Sequence, residues 1–266
     1  MHRFIHRLIF NSLLEIREIP TRLTENSRVE SLIQTLRPLA FEPGLIRLGP
    51  NHDGGYLVPD DLDGITACFS PGVEQTSGFE MDCARLGMQV FMADRSVEQP
   101  AESHERFHFT RKHLGVTTND EMMTLDDWVS SSHPGTDDLL LQIDIEGAEY
   151  EVFLGASDAL MRRFRIIVAE FHSLDQFWNE PFFNIASRAF DKILQTHHCV
   201  HLHPNNTQGI VKHGDIEIPP VTEFTFLRKD RLVPAGFVKT FPHPLDYHNT
   251  DLRPVPLPGI WYGSGT

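Results

Sequence analysis

Leu139-Leu-Leu-Gln-Ile-Asp-Ile-Glu-Gly-Ala-Glu-Tyr-Glu-Val-Phe153 decides the fold. Its apolar opening, 139–143, reads as a buried strand that stops on two carboxylates, Asp144 and Glu146. Gly147 permits a tight turn, and 148–154 has helical composition and spacing. Acidic groups at the carboxyl end of a buried parallel strand occupy the crevice where open α/β sheets bind ligands. The stretch therefore predicts both a fold class and a site.

Working outward, short strands are expected at 45–48, 56–58, 65–69, 88–92, 107–110, 122–124, 165–169, 199–203, 216–218 and 223–228. Helices are expected at 77–86, closed by Gly87, from 125 to 129 and over 182–195. Strands alternating with helices argue βαβ units and a mainly parallel sheet, with the last elements antiparallel. Before this, Phe4, Leu8, Ile9 and Leu13 form one helical stripe and Val29, Leu32, Ile33 and Leu36 another. The expected organisation is a helical segment at 1–44, an α/β domain at 45–233 and an irregular, proline-bearing tail at 234–266, packed on the domain.

The formal net charge of −14 speaks against general nucleic-acid binding, which needs a basic surface. It is read chiefly as a solubility feature. Three widely spaced cysteines, Cys68, Cys83 and Cys199, make neither a disulfide framework nor a zinc motif, so buried thiols and a cytoplasmic location are expected. No run is long enough for a transmembrane segment. The amphipathic opening helix is expected to pack on its own domain or on a sister subunit, as in a homo-oligomer, rather than on a membrane.

A second site lies where strand 65–69 runs out at Ser70-Pro-Gly-Val-Glu74, a glycine turn before a helix. About 20 residues on, the next strand ends at Asp94, the place of a ribose-binding acid. One glycine, without G-x-G-x-x-G, is too sparse for a dinucleotide pyrophosphate. A nucleoside cofactor without phosphate, such as S-adenosylmethionine, suits the turn and the acid. The competing reading makes Asp94 a simple helix cap.

The block Asp144-Ile-Glu-Gly-Ala-Glu149, preceded by Thr124-Leu-Asp-Asp-Trp128, resembles the signature of FkbM-type S-adenosylmethionine-dependent methyltransferases. Asn51-His-Asp-Gly-Gly-Tyr-Leu-Val-Pro59 and Phe69-Ser-Pro-Gly-Val73 are similar to upstream blocks of the same group. The resemblance covers roughly 45–230. It implies a class I methyltransferase (Rossmann-like) sheet, S-adenosylmethionine as donor, and O-methylation of sugar or polyketide hydroxyls. It places Ser70, Gly72, Val73 and Glu74 at the cofactor turn, Asp94 on the ribose with Arg95 beside it, and Asp53, Gly54, Gly55 and Tyr56 in a flanking loop. Asp144 is counted with the cofactor residues as well as with the catalytic ones.

An alcohol acceptor must lose its proton as the methyl is transferred, to a side-chain base or with the help of a divalent ion. Glu170 and His172, two apart in an extended segment, share a face, and Asp144 ends the neighbouring strand. Two readings stay open: a Mg or Mn site on Asp144, Glu170 and His172, or a metal-free base, His172, oriented by Asp144 or Glu146. A third has these residues cap helices and pair with Arg162, Arg163 or Arg165. His201-Leu-His-Pro-Asn-Asn206 concentrates groups that both donate and accept, so His201, His203, Asn205 and Asn206 are expected to bind the acceptor's hydroxyls. Glu223, a candidate for closing the acceptor pocket, is read rather as part of a surface ladder, and Phe177, Trp178, Phe182 and Phe183, candidates for stacking on a sugar ring, rather as core. The resulting expectation is a methyltransferase acting on a sugar or glycoside hydroxyl. Its competitors are an NAD-type α/β enzyme and an inactive methyltransferase-fold assembly subunit.

Overall fold

The computed structural model describes residues 20–73 and 76–263. The opening helical stripe at 4–13 and Glu74 lie outside them. In chain order the elements are α1 (Asn26–Thr35), β1 (Leu45–Leu48), β2 (Tyr56–Pro59), β3 (Ala67–Pro71), α2 (Gly78–Arg85), β4 (Gln89–Ala93), β5 (Phe107–Thr110), β6 (His113–Leu114) and β7 (Met122–Met123). They continue as α3 (Leu125–Ser132), β8 (Leu139–Ile143), α4 (Glu149–Gly155), α5 (Asp158–Met161), β9 (Phe164–Phe171), α6 (Glu180–Thr196), β10 (His197–Pro204), β11 (Val211–His213), β12 (Ile216–Ile218) and β13 (Thr222–Arg228).

Seven strands form one sheet in the order β10-β13-β9-β8-β3-β4-β5. The pairs β3–β4, β3–β8, β4–β5 and β8–β9 are parallel, while β13 runs antiparallel to both β9 and β10. The chain builds outward from β3 to β5, then returns to start the other half at β8. This is the class I methyltransferase arrangement, and its topological switch point lies between β3 and β8. Both strands are buried along their whole length, which is why they read as unbroken apolar runs.

Strand β9 runs past the expected end at Ala169 to Phe171, because β13 pairs with it up to Thr222↔Phe171. Glu170 is thus a strand residue held opposite Glu223. Among the described residues the hairpin β1–β2 pairs only with itself, and it lies on one face of the sheet, where the Thr225 hydroxyl donates to the Leu57 carbonyl at 2.7 Å. Tyr56 meets Phe79 of α2 edge to face at 5.5 Å.

On the other face α6 buries Phe183, Ala186, Ala189, Phe190 and Ile193, a stripe at helical spacing. Val29, Ile33 and Leu36 join the same core as α6, and so does Trp261 from the tail. Arg37 donates to the Ile260 carbonyl at 3.0 Å, tying the segment before the sheet to the one after it. Cys68, Cys83 and Cys199 are free and buried, and Phe177, Trp178 and Phe183 are core as expected. Among the described residues no helix is long and apolar enough to cross a membrane.

Candidate active site

The β3 turn is built around Gly72. At φ 92° it occupies a left-handed conformation, and a Cβ there would stand 1.7 Å from the Asp144 carbonyl oxygen. The ends of β3 and β8 therefore touch through backbone, with Asp144 N–H donating to the Pro71 carbonyl at 3.3 Å. A cleft of about 490 Å³ opens over this contact, lined by Gly72, Val73, Asp94, His113, Asp144 and Glu146 among others. Asp94 accepts the Val73 N–H at 3.0 Å, and the Ser96 N–H and hydroxyl at 2.6 and 2.7 Å. Partial burial works against its ionised form, but these hydrogen bonds outweigh it and hold its pKa below the ordinary value.

A narrower recess beside the cleft is lined by Gly54, Tyr56, Gly72, Gln142 and Asp144 among others. Ser70 is fully buried, its hydroxyl 2.5 Å from a Glu80 oxygen and 2.6 Å from the Gln142 side-chain oxygen, with one proton to donate between them. Gly55 has no room for a side chain, since a Cβ would lie 2.0 Å from the Pro50 carbonyl oxygen. Arg95 turns toward Glu121, 3.9 Å away.

The carboxyl ends of β8 and β9 converge on His172. Its Nε2 lies 3.8 Å from Asp144 Oδ1, 3.6 Å from Glu146 Oε2 and 3.7 Å from Glu170 Oε1. Its Nδ1 lies 3.3 Å from Glu149 Oε1. Glu149 has no exposed surface. The same Oε1 accepts the Ile145 and Gly147 N–H groups at 3.0 and 3.1 Å, so the acid of the first helical turn curls back to close the loop before it. The next residue, Tyr150, donates its hydroxyl to the His172 carbonyl at 2.7 Å. Burial opposes charging the imidazole, but the Glu149 carboxylate, 3.3 Å from Nδ1, and the charges of Asp144 and Glu146 prevail and raise its pKa.

Two loop residues beside this imidazole, Glu146 (φ 58°) and Ser173 (φ 61°), are non-glycine residues in the left-handed region. Each costs on the order of 1–2 kcal/mol, and such strain concentrates at functional sites.

Beyond His172 the acids continue across the sheet. Glu170 accepts from the Asn205 amide at 3.1 Å, and Glu223 from the Asn249 amide at 2.7 Å; that amide also donates to Asp53 at 3.0 Å. Burial, then the charges of Asp144, Glu223 and Asp53, drive the Glu170 pKa well upward. Burial also raises that of Glu223, against the pull of His203, Asn249 and Arg47. The surface-ladder expectation for Glu223 is overturned, since the residue is buried and faces Glu170 in register.

Tyr56 lies among these groups. Burial, followed by the charges of Asp144, Glu170, Glu223 and Asp53, keeps its phenol protonated well above the usual range. His201 pairs with Asp246 at 2.9 Å, and His203 lies 3.7 Å from the same oxygen. Asn206 uses its whole amide on Thr250 and Leu252 of the tail.

The methyltransferase FkbM domain matches residues 66–201, just over half of the chain. The chain belongs to the FkbM methyltransferase family. It is accordingly a methyltransferase, and the family implies S-adenosylmethionine as donor. No curated protein matches it. Among solved structures, a variant of the 16S rRNA (adenine(1408)-N(1))-methyltransferase from Catenulisporales acidiphilia is similar at 11% identity and a TM-score of 0.29, over 72% of this chain and 98% of that one. EvdMO1 is similar at 10% identity and a TM-score of 0.28, over 77% of this chain and 47% of that one.

In this methyltransferase the structure brings Gly72, Val73, Asp94 and Asp144 together on one cleft, and Asp144, Glu146, Glu170 and His172 around one imidazole nitrogen. Sequence reasoning missed Glu149, Tyr150, Gln142, Asp246 and Asn249. An acid two residues past the turn glycine was the available signal for Glu149, and Asp246 and Asn249 had none.

Proposed function

We propose that this protein transfers the methyl group of S-adenosylmethionine to a hydroxyl of a sugar or glycoside. The observation that carries the reading is the setting of His172 Nε2, with Asp144, Glu146 and Glu170 3.6–3.8 Å away, beside a cleft that holds Asp94. The cofactor's adenosine would lie in that cleft with its ribose on Asp94, and its methyl would face the end of β8. Asp144 and His172 then meet the acceptor hydroxyl. His172 takes the proton as the methyl leaves sulfur, and Glu149 and Tyr150 fix its ring and backbone. Aligning oxygen, methyl and sulfur is the larger part of the work.

A divalent ion also fits these residues. Asp144, Glu149 and His172 each offer a ligand atom within 4.8 Å of the others, and buried oxygens Glu149 Oε2 and Glu170 Oε2 have no hydrogen-bond partner among the described residues. Asp144, Glu149 and His172 would hold a Mg or Mn ion, and Glu170, 3.7 Å from His172 Nε2, stands beside that set. When bound, such an ion lowers the acceptor's hydroxyl pKa.

The test combines calorimetry with S-adenosylhomocysteine and transfer of labelled methyl from S-adenosylmethionine to a panel of glycosides, with and without Mg²⁺ or Mn²⁺. Saturable binding and labelled methyl ethers are expected. Absence of S-adenosylhomocysteine binding at millimolar concentration would remove the reading and leave an assembly role.

A further inference from the structure

The tail builds a second cavity at the outer edge of the sheet. It encloses about 430 Å³, within the range of small-molecule sites, and its walls are mostly apolar: Phe241, Pro242, Val255, Pro256, Leu257 and Tyr262. Polar groups come from His203, Asp246 and the exposed His248. His203 is 93% buried, from its 7% exposure, and its Nε2 has no hydrogen-bond partner among the described residues. Its other nitrogen, Nδ1, faces Asp246. A buried imidazole nitrogen at an apolar cavity, with its ring turned by a carboxylate, is a hydrogen-bonding group lacking its ligand.

Strand register links this cavity to His172 and its carboxylates. His203 is paired with Glu223, Glu223 with Glu170, and Glu170 is level with Asp144, one residue beyond the Ala169↔Ile143 pair. Directly opposed residues share a face, so Asp144, Glu170, Glu223 and His203 form a row across four adjacent strands. Three strand spacings make it about 14 Å long, roughly the reach of two linked rings. The family match ends at 201, so His203 and the cavity walls come from segments outside it.

We propose that the tail cavity takes an apolar ring carried by the methyl acceptor, with His203 Nε2 hydrogen-bonded to an oxygen of that ring. The acceptor is then a two-part molecule. A hydroxylated ring lies over Asp144 and Glu170, and an aromatic or alicyclic aglycone lies against the tail. This rests on the methyl-transfer reading for the first part only.

The probe is p-nitrophenol, titrated calorimetrically into the full chain saturated with S-adenosylhomocysteine. Binding in the millimolar range is expected, weakened at least 10-fold by the cavity-filling Val255→Trp and several-fold by His203→Ala. S-adenosylhomocysteine affinity should be unchanged in both, which also reports that they fold. As acceptors, nitrophenyl glycosides should show KM values about 10-fold below those of matching methyl glycosides, and Val255→Trp should erase the difference. No p-nitrophenol binding, binding equal in Val255→Trp, or a glycoside preference that survives in that variant would overturn the proposal. Intact p-nitrophenol and S-adenosylhomocysteine binding without methyl transfer would instead count against the methyl-transfer reading.

Discussion

The two ends of the same three strands carry opposite electrostatic designs. At one end of β8, β9 and β13 stand Asp138, Arg165 and Arg228; at the other stand Asp144, Glu170 and Glu223. The first set is compensated. Arg165 pairs with Asp138 at 2.8 Å and donates to the Asp61 and Asp63 carbonyls, while Arg228 meets Asp138 at 2.5 Å and Asp230 at 2.7 Å. The second set is dominated by carboxylates: burial first, then neighbouring carboxylates, raise the pKa values of Glu170 and Tyr56, burial raises that of Glu223, and the acids around His172 raise its pKa against burial. Arg165, a candidate partner for the site acids on sequence grounds, belongs to the compensated end. Charges that hold a fold together are paired with each other, whereas an acidic end built around one imidazole is suited to a partner from outside.

The largest effect that would separate the ends is on turnover. His172→Gln should lower kcat by about 10³-fold, within the span of general acid–base contributions, with S-adenosylhomocysteine affinity held within a few-fold. Single-turnover methyl transfer would measure it, and comparable activity in the variant would place the chemistry elsewhere.

At the compensated end, Arg165→Met should instead cost about 3 kcal/mol of stability in denaturant titration, because it strips a buried ion pair of one partner. Turnover per folded molecule should not move. A variant as stable as the parent would show that this end is ornamental.

His197, which opens β10 at the same end, makes that region acid-sensitive. Its Nε2 lies 2.8 Å from the Phe164 carbonyl, and burial first, then the charge of Arg228, depresses its pKa to about 4, against a backbone hydrogen bond that pulls upward. Unfolded, it charges near 6.5. Stability is thus complete above the unfolded value and is lost as pH falls from there toward 4, by about 2 kcal/mol at about pH 5. Unfolding titrations should show this dependence shrinking in His197→Gln.

The smallest effect has the opposite sign. Glu223→Gln removes one of two carboxylates held in register, where like charges repel, and keeps an acceptor for Asn249. Because the folded pKa of Glu223 is raised, its ionised form is disfavoured by the fold at neutral pH. The variant should be about 1 kcal/mol more stable while its KM for the acceptor rises. Loss of stability would mean that the acid end is compensated after all.

The sheet was legible because β3, β8 and β9 are buried along their length and read largely as apolar runs, and because acids fall at the carboxyl ends of β8 and β9. The convergence of Asp144, Glu170 and His172 followed from strand adjacency alone. Glu223 was misread because register is a property of pairing, and nothing in 223–228 announces a partner at Glu170. Glu149 was hidden by its place in the first helical turn, where an acid normally serves the helix dipole. The left-handed Glu146 and Gly147 fold the loop so that the Glu149 carboxylate meets the Ile145 and Gly147 N–H groups. Asp246 and Asn249 come from a tail without periodicity, whose course is set by contacts such as Asn206 with Thr250 and Leu252.

The claim that the acid end serves a methyl donor is tested most directly by a crystal structure with S-adenosylhomocysteine. The ribose should rest on Asp94 and the sulfur should point at Asp144 and His172. An adenosine lodged away from Gly72 and Asp94, or a sulfur turned from His172, would contradict it.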